Sequence, residues 1–308
     1  MDTVPEHLRR YEIAERVTLV KGGGDLPKIS VMTDWSTAEI YLHGAHVTGF
    51  QKYGEPPLLF MSEASQFAVG KPIRGGVPIV FPWFGPREGR APHGFARVTE
   101  WEWEGSSFAP DSRVTLRFRL PDSDARAYGS PPAKVTFVVT VSDKLTMELT
   151  VANPSGTDSL SFENCLHTYF TISDIAEVEI TGLKGTTCID KVGNVTQGAE
   201  SAEAIRINSE TDRIYLDTTK TVDIHDLRHR RRISVEKSGS ASTVVWNPWI
   251  EKARNMPDFG DEEFKRMLCV ESGNVAQNKI TLAPGKSASL KVVLSSHQFE
   301  VPLGSPRS

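Results

Sequence analysis

The chain has 308 residues, 39% of them hydrophobic and 24% charged, enough apolar material for a substantial core without disulfide staples. Its formal charge of −4 argues against a general polyanion binder. No run nears the roughly 20 apolar residues a membrane helix needs. The start, Met1-Asp2-Thr3-Val4-Pro5-Glu6, carries acids where a secretory leader has an apolar stretch. Cys165, Cys188 and Cys269 are odd in number and scattered, which excludes a disulfide framework and a local zinc spacing. A cytoplasmic protein without membrane or nucleic-acid partner is expected, and a monomer.

In chain order, residues 17–20 and 28–32 read as strands about the turn Lys21-Gly22-Gly23-Gly24-Asp25. Residues 62–67 suggest a single helical turn. Two Gly/Pro-dense stretches follow, 71–78 and 81–86, in which Arg74 stands beside Gly75 and Gly76 where it could approach a ligand closely. Pro92-His93-Gly94-Phe95-Ala96-Arg97 is another loop with two polar side chains. Trp101 and Trp103 alternate with acids, as in a half-buried strand, and residues 114–120 alternate likewise. Residues 134–141 and 145–151 form a predicted hairpin, as do 232–236 and 243–246 about Lys237-Ser238-Gly239-Ser240. The best helix candidate is 258–268, acidic early and basic late. The last strand is 288–294.

Many short strands punctuated by Gly, Pro and Asn give an all-β class, a sandwich or barrel with few short helices. No linker or fixed-period repeat appears, so a single domain over 1–308 is expected, its core spanning roughly 17–294.

Two further segments carry chemistry. Glu163-Asn164-Cys165-Leu166-His167-Thr168-Tyr169-Phe170 and Leu268-Cys269-Val270-Glu271-Ser272-Gly273-Asn274 each hold a titratable group, His167 or Glu271, inside an apolar strand-like run. On a central strand such a group is either paired or used for proton transfer. A lone buried His is more often a satisfied core residue, so neither segment is specific alone.

Taken together, Lys71-Pro-Ile-Arg-Gly-Gly76, His93-Gly-Phe-Ala-Arg97, His167-Thr-Tyr-Phe170, Glu210-Thr-Asp-Arg-Ile-Tyr215, Val245-Trp-Asn-Pro-Trp249 and Cys269-Val-Glu-Ser-Gly-Asn274 resemble the glucose-6-phosphate 1-epimerase branch of the aldose 1-epimerase (galactose mutarotase) family. The resemblance runs from about Val17 to Leu294. It implies a large β-sandwich, the galactose mutarotase-like supersandwich, with a cofactor-free, metal-free site for a hexose phosphate in its cleft. It makes His167 and Glu271 the catalytic pair and places Arg74, His93, Arg97 and Asp212 around the sugar phosphate. Pro92 departs from the Gln frequent in this branch, so position 92 is given no ligand contact.

Mutarotation opens a hemiacetal and recloses it from the other face. One group takes the proton of the anomeric hydroxyl while another protonates the ring oxygen. Glu271 is expected as the base toward O1 and His167 as the acid toward O5, the carboxylate raising the imidazole pKa. Arg74 and Arg97 suit the phosphate, because a guanidinium fork matches its oxygens and stays charged. A non-catalytic carbohydrate-binding sandwich is the main alternative. A glycoside hydrolase would generally need two flanking carboxyl groups.

Two tempting features are set aside. His43 and His46, three apart on a strand, would point to opposite faces, and nothing nearby completes a metal site. The basic run Arg228-His229-Arg230-Arg231-Arg232 lacks interleaved aromatics and reads as a solvated loop or strand edge.

Overall fold

A computed structural model describes residues 4–122 and 132–299. Met1, Asp2 and Thr3, half of the start on which the absence of a leader was read, lie outside the described residues. Within these bounds the chain is all-β, with antiparallel sheets of nine, eight and four strands and a short two-stranded pair. No helix among the described residues is long and apolar enough to cross a membrane.

The four-stranded sheet is a meander of Val17–Lys21, Pro27–Met32, Ser36–Tyr41 and His46–Lys52. The Gly-rich turn stands where expected. In the nine-stranded sheet Lys134–Val141 and Leu145–Ala152 pair as the predicted hairpin, and every second residue of each is buried. Ser287–Gln298, longer than expected, then joins Leu145–Ala152 to Arg231–Ser238.

The eight-stranded sheet holds Glu271 and the two short strands that flank His167. At its centre Ser242–Asn247 and Met267–Asn274 are buried at every residue. One face, with Val245, Leu268 and Val270, joins the main core shared with the nine-stranded sheet. The other presents Val244, Trp246, Cys269 and Glu271, packed among smaller clusters or lining a cavity. A strand covered on both faces reads as a continuous apolar run, so a carboxylate within it stands out.

Several sequence expectations need correction. Residues 232–236 and 243–246 do not form a hairpin: the first pairs with Val222–Asp226 and Ser287–Gln298, the second with Thr211–Tyr215 and Met267–Asn274, in different sheets. The link between them crosses from sheet to sheet. Gly239, at φ +65°, passes so close to Ser289 O that a Cβ would lie 1.9 Å from it. Residues 258–268 are not one helix either. An α-helix occupies Trp249–Arg254, a 3-10 turn Glu263–Arg266, and Met267 already begins a strand paired with Tyr169–Thr171. Residues 62–67 contain a turn closed by Ser65 N–H to Ser62 O at 3.1 Å, but no helix.

Trp101 and Trp103 are core residues, 1% and 2% exposed. The basic run is not wholly solvated. Arg231 is fully buried, donating to the carbonyls of Pro56, Pro57 and Thr171 and pairing with buried Asp226 at 3.6 Å. Three carbonyls and a carboxylate compensate its desolvation.

His43 and His46 flank a tight turn at Gly44 and Ala45, both at positive φ, rather than lying on one strand. Each is buried and hydrogen-bonded to the loop that carries Arg74: His43 Nε2 to Lys71 O at 2.7 Å, His46 Nε2 to Gly75 O at 2.8 Å.

Candidate active site

His167 sits where one strand edge is interrupted. Asn164–Leu166 and Tyr169–Thr171 both pair with Met267–Asn274, in the same register (Leu166 with Ser272, Tyr169 with Cys269), so the unpaired His167 lies in line with Glu271. The backbone at the gap turns to the loop before it, His167 N–H bonding Pro78 O at 3.1 Å and Tyr169 N–H bonding Gly76 O at 2.9 Å. The two side chains meet: His167 Nε2 is 3.2 Å from Glu271 Oε1. The two residues expected to act on O1 and O5 of one sugar thus stand in direct contact.

The ring of His167 stacks on Tyr169, centroids 4.8 Å apart and planes within 10°, while His93 and Trp246 meet it edge-on at 5.7 and 6.0 Å. Glu271 accepts a weak bond from Cys165 Sγ at 3.5 Å through its second oxygen. Burial, reinforced by Asp212, holds the Glu271 carboxyl well above the usual range. Burial and the positive field of His93, Arg97 and Arg74 push the His167 imidazole well below its usual value. The expectation that the carboxylate would raise the imidazole is not met: burial and the nearby cations carry it the other way. Burial opposes the charged form of both partners.

This pair opens into a cavity of about 290 Å³, near the small end for small-molecule sites. All six expected residues, Arg74, His93, Arg97, His167, Asp212 and Glu271, line it. A larger groove of about 560 Å³ on the four-stranded sheet contains no buried acid–base pair.

The cations differ in how they are engaged. Arg74 forks onto Asp258 with contacts of 3.0–3.2 Å and donates to Tyr169 Oη at 3.0 Å, so its charge is already matched. Its neighbouring glycines serve packing rather than ligand approach: a Cβ on Gly75 would lie 2.4 Å from Phe60 O, one on Gly76 2.3 Å from Val47 O. Arg97, 8% exposed, donates to Pro92 O at 2.8 Å and has no ion-pair partner among the described residues. Burial, with Arg74 nearby, lowers it to about 10. His93 accepts from Gly85 N–H through Nδ1 at 3.3 Å, which leaves Nε2 to carry the proton, and burial beside Arg97 drops it to about 3. Asp212 pairs with Lys191 at 3.3 Å.

Lys191, Lys252, Tyr169 and Trp246 also line the cavity and were missed in the sequence. Lys191 Nζ lies 5.6 Å from the Phe84 ring centroid. Lys252 pairs with Glu210 at 2.9 Å. No local pattern marked these lysines, although Tyr169 and Trp246 stood inside the motifs quoted for the resemblance.

The pattern of the family "Aldose 1-epimerase" matches residues 27–295. The chain belongs to the aldose 1-epimerase family. It is an epimerase, an isomerase that interconverts sugar anomers. A protein of Cenchrus ciliaris named "Putative glucose-6-phosphate 1-epimerase" is 36% identical over 270 residues, 84% of this chain and 80% of its own. A Salmonella typhimurium protein of the same name is 34% identical over 251 residues, 80% of this chain and 83% of its own. Among solved structures, a Salmonella typhimurium protein described as a "putative mutarotase" superposes with a TM-score of 0.86 at 28% identity, covering 94% of this chain and 96% of that one. A galactose mutarotase-like protein of Clostridium acetobutylicum shares the epimerase fold, with a TM-score of 0.70 at 15% identity, over 92% of this chain and 98% of its own.

Proposed function

We propose that this epimerase interconverts the α and β anomers of glucose 6-phosphate, with His167 and Glu271 as a proton-sharing acid–base pair. The observation that carries the reading is their 3.2 Å contact at the wall of a cavity that also holds the guanidinium of Arg97, which has no ion-pair partner among the described residues. Two relatives bearing a glucose-6-phosphate 1-epimerase name support the substrate.

Ring opening needs one group with a proton and one without. A neutral pair holding one mobile proton meets that requirement in both directions. Arg97 and Lys191 draw Glu271 toward carboxylate, so a proton moving to His167 leaves Glu271 to take the proton from O1 while His167 delivers its own to O5. Reclosure on the other face reverses the roles. Each positioned acid or base contributes on the order of 10²–10⁴ in rate, so two supply roughly 5 kcal/mol or more. The arriving sugar inserts its O1 and O5 between side chains that touch in its absence.

At the anion end Arg97 is the leading group, since a phosphate dianion would supply its missing counter-charge, and Lys191 lies on the same cavity. Arg74 holds Asp258 and serves the phosphate less directly. His93 and Asp212 face the sugar hydroxyls. The test compares substrates: Arg97→Ala should raise KM for glucose 6-phosphate at least about tenfold and flatten the preference over free glucose. Equal loss for both sugars would refute the phosphate role.

A further inference from the structure

Cys269 has no part in the chemistry above, yet it stands two residues before Glu271 on the same strand and hence on the same face. His167, Cys269 and Glu271 offer one nitrogen, one sulfur and one oxygen, all within 4.8 Å of one another. Three protein ligands of these kinds with one open position make up a catalytic-type zinc coordination set. With metal–ligand bonds of about 2.0–2.3 Å, the ligand atoms of a tetrahedral site lie roughly 3.3–3.6 Å apart. The His167–Glu271 contact, 3.2 Å, already has nearly that separation, so only the thiol must close in. A second sulfur, Cys165, touches the other oxygen of Glu271 at 3.5 Å, which gives the surroundings a soft character. His167 and Glu271 line the cavity, through which a cation would enter to reach the buried Cys269 thiol.

We propose that His167, Cys269 and Glu271 form an inhibitory site for a thiophilic divalent cation, zinc above all, in which the metal occupies the acid–base pair and stops anomer exchange. Binding is a charge-balanced replacement. Bound to Zn²⁺ the ligands are a thiolate, a carboxylate and a neutral imidazole, whose two negative charges match the two positive charges of the metal. Magnesium and calcium, which prefer oxygen ligands, do not compete. The inhibitory effect rests on the catalytic reading of the pair; the binding does not.

Cobalt(II) added to the reduced, metal-free protein tests the binding by spectroscopy, independently of turnover. The expected result is a near-ultraviolet sulfur-to-cobalt charge-transfer band that Zn²⁺ displaces. Cys269→Ser should abolish the band, while Cys188→Ser, which changes a thiol outside the cluster, should keep it. No band in the wild type, a result that needs no variant, or a band surviving in Cys269→Ser overturns the site. In the second arm Zn²⁺ should block anomer exchange reversibly, with relief by a chelator. Loss of a metal ligand should weaken inhibition by at least about tenfold in Cys269→Ser, since even outer partners of metal ligands are worth that much. A cobalt band accompanied by undiminished exchange in the zinc-loaded protein would overturn the inhibition. Absence of exchange without metal would count against the proposed function and leave the cobalt result standing.

Discussion

At the residue scale the site depends on a carboxyl and an imidazole whose charges are both opposed by burial. Replacing either end leaves the proposed proton exchange without one of its two sites. His167→Asn and Glu271→Gln should each lower kcat by at least about 10² while changing KM little, because a role confined to proton transfer is expressed in the transition state. Stopped-flow polarimetry on fresh α-anomer would measure both constants. The acid limb of kcat/KM should fall well below 6.5: with the His167 pKa depressed, its neutral form persists as pH drops through the ordinary imidazole range. A limb centred at the ordinary value would contradict the neutral-pair account. His167 and Glu271 stood out in the sequence because each interrupts an apolar run, but only the family resemblance joined them as a pair. Their direct contact was not, since it depends on register across strands about a hundred residues apart. Lys191 was illegible for a similar reason: only pairing of Thr187–Asp190 with Thr211–Tyr215 brings it to Asp212.

At the element scale, a gap in one strand edge and a tethered loop shape the cavity. The loop after the helix Trp249–Arg254 is tied down by Asp258 on Arg74, and Arg74 in turn holds Tyr169, the ring beneath His167. Asp258→Ala leaves a partly buried guanidinium without its partner and should cost about 2 kcal/mol of unfolding free energy, measured by urea titration. It should also raise KM as the loop that carries Met256 to the cavity loosens. The same region shows where local reading fails. Phe264, Met267 and Leu268 have helical spacing, but Met267 and Leu268 are taken by pairing with Thr171 and Phe170. Likewise Lys237-Ser238-Gly239-Ser240 signals a chain reversal without saying into which sheet the chain returns. The hairpin about Ser142-Asp143-Lys144 was legible because its partners are adjacent, Val141 meeting Leu145.

For the whole molecule, buried neutral histidines link stability to pH. His46 is held at about 3 by burial, and so is His93 by burial and Arg97, against 6.5 when unfolded. Both folded values are depressed, so the stability they support is complete above 6.5 and is lost as pH falls from there toward 3. At about pH 5.5 the loss is roughly 1.4 kcal/mol for each. Denaturant midpoints at pH 8 and 5.5 should differ accordingly. His46→Gln, which keeps a donor for Gly75 O, should flatten the slope. Sheet-rich architecture was legible from strand periodicity, whereas the division into sheets required contacts no short window contains. The central claim is that the touching His167–Glu271 pair exchanges the anomers of glucose 6-phosphate. Saturation transfer between its two anomeric protons by NMR tests this directly: the wild type should exchange them far faster than the spontaneous rate, and Glu271→Gln should return to near that rate. Wild-type exchange at the spontaneous rate, or exchange undiminished in Glu271→Gln, would contradict it.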